Sequence, residues 1–132
     1  MNGTATDPIL FTDVRDDTGF DGILGTADDL DTGGDGPSEG APDAWSCIWF
    51  DTTSTGNVMD HTEVRYAGYR DSVSAVSVNA AELTLTNSVL RDCSDNGLRI
   101  QQSNPVVTGN VFRNNWGAAI SKDLVSDRRS RA

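Results

Sequence analysis

A recurring register places an arginine directly after an apolar residue at Val14-Arg15, Val64-Arg65, Leu90-Arg91 and Phe112-Arg113. The last two arginines are 22 residues apart and the two before them 26. The first gap is 50 residues and contains a long acidic stretch. A period in the low twenties is the mark of a solenoid, in which a repeat cannot bury its apolar face alone and must stack on its neighbours. Apolar residues also alternate within each period, at Ile48/Phe50, Val76/Val78, Leu83/Leu85 and Leu98/Ile100. Period two over so few residues is a short strand with one buried face. Turn chemistry separates the strands: Asn96-Gly97, Ser103-Asn104-Pro105, Gly109-Asn110 and Asn114-Asn115. Only the last dozen residues carry any helical pattern, and it is faint.

The charge narrows the function classes. Twenty acids against ten bases give a net charge of −10, which argues against nucleic acid as a partner, since phosphate binding needs a basic surface. No run of eighteen apolar residues predicts a membrane-spanning helix. The N-terminus has neither the basic nor the apolar segment of a secretory leader and soon enters a strand at Pro8-Ile9-Leu10-Phe11. Met1 is therefore read as a start placed on a segment of a longer protein. Two cysteines, Cys47 and Cys93, make no disulfide framework. They fall at different corners of the repeat and are read as small buried hydrophobes, with a disulfide between them as the lesser alternative.

The run Asn104-Pro105-Val106-Val107-Thr108-Gly109-Asn110-Val111-Phe112-Arg113-Asn114-Asn115, with Gly117 and Ile120 after it, resembles the right-handed parallel β-helix repeat. That repeat is found in pectate-lyase-like proteins and in periplasmic copper-site maturation proteins. Residues 83–100 resemble it less cleanly. Residues 4–66 look like a module of bacterial secreted and surface β-helix proteins: a Pro8-Ile9-Leu10-Phe11-Thr12 strand, Asp16-Asp17, an Asp/Gly-rich loop, then Trp45 and Ile48-Trp49-Phe50. The expectation is an all-β chain, a right-handed parallel β-helix of about four coils. It places the β-helix at residues 1–121, an acidic insertion at 16–43 between the first and second coils, and an irregular basic tail at 122–132. The resemblance implies an extracellular or cell-surface location. It specifies activity poorly, because such folds host many functions.

Four features carry candidate chemistry. From Asp16 to Asp43 the chain holds nine acids and no base. Unscreened, they repel one another; a calcium ion would relieve this by taking six to eight oxygens. Asp31 and Asp35-Gly36 resemble half of a calcium loop, and Asp21, Asp28 and Asp29 could supply more oxygens, although the full EF-hand pattern is absent. The competing reading is a solvated acidic loop. Second, if the alternating apolar residues point inward, Trp49, Asp51, Ser77, Asn79, Arg99 and Gln101 form an outward stripe. Such a surface suits a polysaccharide, and the resemblance places the substrate groove of pectate-lyase-like proteins on this face; the alternative is an ordinary solvated sheet. Third, the arginine ladder should point outward, and pairing with Asp16, Asp60, Glu63 and Asp92 is a better reading than gripping an acidic polymer. Fourth, His61 is the only histidine and is read as structural; the alternative is a His/Asp pair with Asp60 or Asp51.

Two function classes follow. The favoured one is a non-catalytic extracellular module that binds carbohydrate or serves as a calcium-stabilised scaffold. The other is part of a polysaccharide lyase or glycoside hydrolase acting on an acidic polysaccharide. The stripe holds one acid, Asp51, and one base, Arg99, which is thin for either chemistry. Open coil ends also suggest end-to-end self-association.

Overall fold

The computed structural model describes residues 1–70 and 73–123. Eleven short strands account for its regular structure: β1 (Ile9–Phe11), β2 (Ile48–Phe50), β3 (Val58–Asp60), β4 (Thr62–Arg65), β5 (Ser74–Asn79), β6 (Thr84–Thr86), β7 (Val89–Arg91), β8 (Asn96–Gln101), β9 (Val106–Thr108), β10 (Val111–Arg113) and β11 (Ile120–Lys122). No helix occurs among the described residues, so none is long and apolar enough to cross a membrane. The helical pattern of the last dozen residues, and the expected tail beyond Asp123, lie outside the described residues. Lys122 itself belongs to β11.

All pairing between the strands is parallel. One sheet runs β1-β4-β7-β10, a second β11-β8-β5-β2 and a third β3-β6-β9. From β2 onward the chain visits the three sheets in fixed rotation, so each sheet collects every third strand. This is the arrangement of stacked coils and is compatible with a parallel β-helix.

Register explains the core. Met59, Leu85 and Val107 share one rung. Phe11, Val64, Leu90 and Phe112 share another. Ile48, Val76, Leu98 and Ile120 share a third. In the middle coils Met59, Val64, Val76, Val78, Leu85, Leu90 and Leu98 are fully buried. At the outer coils Phe11, Ile48, Phe50, Val107 and Phe112 are only partly buried against that core. Solenoid burial depends on having a neighbour on both sides, and the outermost coils have one.

The corners repeat as faithfully as the strands. His61, Asn87 and Gly109 stand at one corner of successive coils, all at positive φ. Tyr66, Asp92 and Asn114 do so at the next, and Ala80 and Gln102 at the third. A left-handed residue turns the chain sharply without consuming length, and outside glycine it is uncommon. Here it recurs because the coil closes only if each corner bends. Asparagine side chains then tie coil to coil: Asn110 Nδ2 donates to the Leu85 carbonyl at 2.8 Å and Asn115 Nδ2 to that of Leu90 at 3.0 Å. Their carbonyls accept from the Ser88 and Cys93 amides. Cys93 is buried, and burial first of all pushes its thiol up to about 11; both cysteines are free.

One sequence expectation is corrected. Phe11 pairs with Val64, so the rung of Arg65 falls on Thr12 rather than Arg15. Val14 is exposed in the loop and Arg15 pairs locally with Asp13 at 2.7 Å. The apolar-arginine dipeptide there matches the repeat in composition only.

Candidate functional site

The acidic segment is not a free loop. It folds over the outward face of β4 and β7, and ladder arginines pin it there. Arg65 is fully buried. Its Nη1 donates to Asp16 at 2.9 Å and to the Thr18 hydroxyl at 3.2 Å, its Nε to Glu63 at 2.7 Å and its Nη2 to the Phe20 carbonyl at 3.1 Å. Glu63 also accepts from Arg91 Nε at 2.6 Å, and Arg91 Nη1 reaches Asp92 at 2.5 Å. Two stacked guanidiniums would repel one another; one carboxylate between them removes the penalty. Burial pushes the Asp16 carboxyl up, but hydrogen bonds from Thr12, Thr18 and Arg65 outweigh it and hold the group below the usual carboxylate range. The arginines thus point away from the core, as expected, yet Arg65 and Arg91 are buried beneath the loop.

Inside the loop, carboxylates cap turns. Asp28 accepts from the Phe20 and Asp21 amides at 2.8 and 3.1 Å. Asp29 accepts from Gly25 and Asp21 from Ile23. Asp17 is buried and accepts from the amide and hydroxyl of both Thr32 and Ser38. The Thr32 amide above all keeps its carboxyl low. Of the expected cation ligands, Asp31 and Asp35 come together, with Asp17 as a third that the sequence reading did not single out: one oxygen of each lies within 4.8 Å of the others. Asp21, Asp28 and Asp29 lie apart from this trio and accept hydrogen bonds within the turns. Asp17 was obscured because its partners lie 15 and 21 residues away.

The outward stripe of the second sheet has a different character. Trp49, Ser77, Arg99 and Ser121 share one rung. Trp49 is 61% exposed while Ser77 is buried between larger neighbours. The small side chain between two large ones makes a notch, the floor of a groove of about 450 Å³. Trp49, Ser77, Arg99 and Gln101 line it, as the stripe predicts. Asp51 and Asn79 lie beside it, joined by an Asn79 Nδ2 to Asp51 hydrogen bond of 3.3 Å.

Tyr69, Arg70 and Ser74 also line the groove, and the stripe did not predict them. Tyr69 and Arg70 arrive on the corner between β4 and β5, and Ser74 opens β5. Gly68 there takes φ 108°, and a Cβ on it would meet the Ser94 hydroxyl at 2.4 Å. The Gly68 and Tyr69 amides donate to the Ser46 and Trp45 carbonyls. Arg70 lies over the Tyr69 ring, 4.9 Å from its centroid. Its amide donates to Asp43, the end of the acidic loop, at 3.1 Å. The adjacent aromatic and basic residues after a glycine were the available signal.

Arg15, Arg65 and Arg91 are paired to carboxylates, whereas Arg70 and Arg99 have no carboxylate partner among the described residues, and both border this groove. The Ser74 hydroxyl is buried there with no hydrogen-bond partner among the described residues. A larger groove of about 560 Å³ runs past the corners at residues 53–58, 80–84 and 102–106. Its one carboxylate, Glu82, accepts from the Gly56 amide, and its Asn57 amide donates to Ser54 and to the Glu82 carbonyl. Its charged group is committed to holding the corner, so the Trp49 groove is the better candidate.

His61 Nδ1 sits 2.9 Å from Asp60. The Thr86 hydroxyl, the Asn87 amide and His61 together bring the Asp60 carboxyl down to about 2. This cluster joins neighbouring coils at a corner.

No family model, no curated protein and no solved structure matches this chain.

Proposed function

We propose that this chain is a non-catalytic, carbohydrate-binding module of a larger extracellular protein, built on a right-handed parallel β-helix of about four coils of the pectate-lyase-like kind. The observation that carries the reading is the Trp49 groove: an exposed indole face over a serine notch, flanked by two guanidiniums without carboxylate partners among the described residues. A flat aromatic face suits the apolar face of a sugar ring, and guanidiniums offer planar paired donors to hydroxyls or carboxylates. Binding is favoured over hydrolysis because a glycosidase needs two carboxyl groups across its scissile bond, and none of the described groove residues is one. Titration of acidic and neutral polysaccharides, followed by indole fluorescence and calorimetry, tests the proposal. Trp49→Ala should abolish binding with the fold intact, and Arg99→Ala should weaken it most for acidic chains. Unchanged affinity in Trp49→Ala would move the site elsewhere.

A second reading, a calcium-stabilised scaffold, is favoured by the convergence of Asp17, Asp31 and Asp35. Three carboxylates supply part of the six to eight oxygens that calcium takes. The two readings are compatible, since Asp43 at the loop's end is tied to Arg70 at the groove.

A further inference from the structure

We propose that the groove at Trp49 takes a sugar bearing a tetrahedral ester oxyanion, a sulfate or a phosphate, in preference to a uronic acid. This rests on the carbohydrate-binding reading above and adds the charged substituent that the groove selects.

The donors of the groove stand on separate elements. Arg99 is on β8 and Trp49 on β2, with Ser77 of β5 between them, so the two large side chains are two strand spacings, about 10 Å, apart. Arg70 comes from the corner after β4, where its own φ is 56°. Its Nε donates to the Tyr69 hydroxyl at 2.5 Å. Its two terminal nitrogens make no hydrogen bond among the described residues, and the Arg99 guanidinium makes none either.

Elsewhere in this chain stacked guanidiniums are given a carboxylate: Glu63 accepts from both Arg65 and Arg91. The Trp49 groove has no such residue. None of its described lining residues is acidic, and none is lysine. The nearby Asp43 and Asp51 are engaged by amides, Asp43 by that of Arg70, Asp51 by that of Thr52 and by the Asn79 side chain. Two cations that face one groove with no anion between them repel each other, and a bound anion relieves this.

Geometry then distinguishes between anions. A carboxylate has two oxygens in one plane, which one guanidinium fork satisfies. A sulfate or phosphate ester has three terminal oxygens that diverge, so it takes donors from several directions at once. Here Arg70 approaches from the corner, the Ser77 hydroxyl from the floor, and Arg99 and Gln101 from the next coil. Guanidinium is also more weakly hydrated than ammonium, which lowers the cost of drying it against an ester oxyanion. The ring that carries the ester lies on the exposed Trp49 face. Long-range attraction would not account for such binding: the chain has a net charge of −10, so a polyanion is repelled until it reaches the groove.

The two cysteines supply the test. Cys47 lines the groove and is half-buried, whereas Cys93 is fully buried. A thiol reagent should modify Cys47 first in the folded chain, and a ligand in the groove should slow that reaction. Four probes share one sugar backbone: dextran, carboxymethyl dextran, dextran sulfate and dextran phosphate, the last three at matched charge density. At least one ester should protect Cys47 at a concentration about tenfold below that of carboxymethyl dextran, the scale of one charge-assisted hydrogen bond. Whichever ester protects better names the oxyanion. Arg70→Gln and Arg99→Gln should each remove that advantage and leave the melting midpoint unchanged. Equal protection by dextran or carboxymethyl dextran, or an advantage that survives both substitutions, would overturn the proposal and leave the carbohydrate reading standing. Sodium sulfate or phosphate protecting as well as the matching polymer would overturn the carbohydrate reading itself, since the anion alone would account for binding. Protection by no probe would remove both.

Discussion

Arg65 is the residue on which the sheet and the loop both depend. It lies fully buried among Asp16, Glu63 and the Thr18 hydroxyl. Removing one partner of a buried ion pair leaves an uncompensated charge and costs roughly 3–5 kcal/mol. Arg65→Met should lower stability by that order in urea unfolding and expose the loop to proteolysis; an unaffected midpoint would mean that the loop holds itself. Acid should act through the same kind of residue. Asp16 and Asp60 both have native carboxyls below the ordinary value of about 3.9. A depressed native value contributes stability that is present above the unfolded value and lost as pH falls through the native one. Stability should therefore be flat above about pH 4 for these groups and decline from there toward Asp60's value of about 2. Asp60→Asn should flatten part of that decline; an identical acid profile would remove Asp60 from the account.

Among elements, the cost of losing a side chain should follow its rung position rather than its size. Leu90 on β7 has a coil on either side and is fully buried. Phe112 occupies the same rung on β10, the last strand of its sheet, and is only partly covered. Leu90→Ala should cost about 2–5 kcal/mol, as buried leucines do. Phe112→Ala should cost less, although phenylalanine is larger. Paired urea titrations would compare them. The opposite order would show that rung position does not set the cost.

For the whole molecule, the acidic loop carries nine of the twenty acids, and the proposed calcium site is tested on it. A ligand that binds only the native state stabilises it by about 2.7 kcal/mol at a hundredfold excess over its dissociation constant. Calcium should raise the melting midpoint, and the double variant Asp31→Asn, Asp35→Asn should remove that response while keeping the fold. Equal midpoints in calcium and in EDTA would assign loop order to Arg65 and to the turn-capping aspartates alone.

What the sequence determined by itself was the local and the periodic. Alternation at Val76/Val78 and Leu98/Ile100 specified strands and their buried faces, because a strand's side chains alternate by geometry. Spacing of Arg91 and Arg113 specified the stacking, and the outward stripe named Trp49, Ser77, Arg99 and Gln101, four of the residues that line the groove. The remainder depended on contacts distant in sequence. Only the tertiary structure moved the first ladder rung from Arg15 to Thr12, because pairing register is decided by Phe11 against Val64 and not by dipeptide composition. It brought Tyr69 and Arg70 to the groove on a corner that carries no strand pattern. It also joined Asp17 to Asp31 and Asp35, because a loop's path follows from where its buried carboxylates find partners: Arg65 for Asp16, and the Thr32 and Ser38 amides for Asp17.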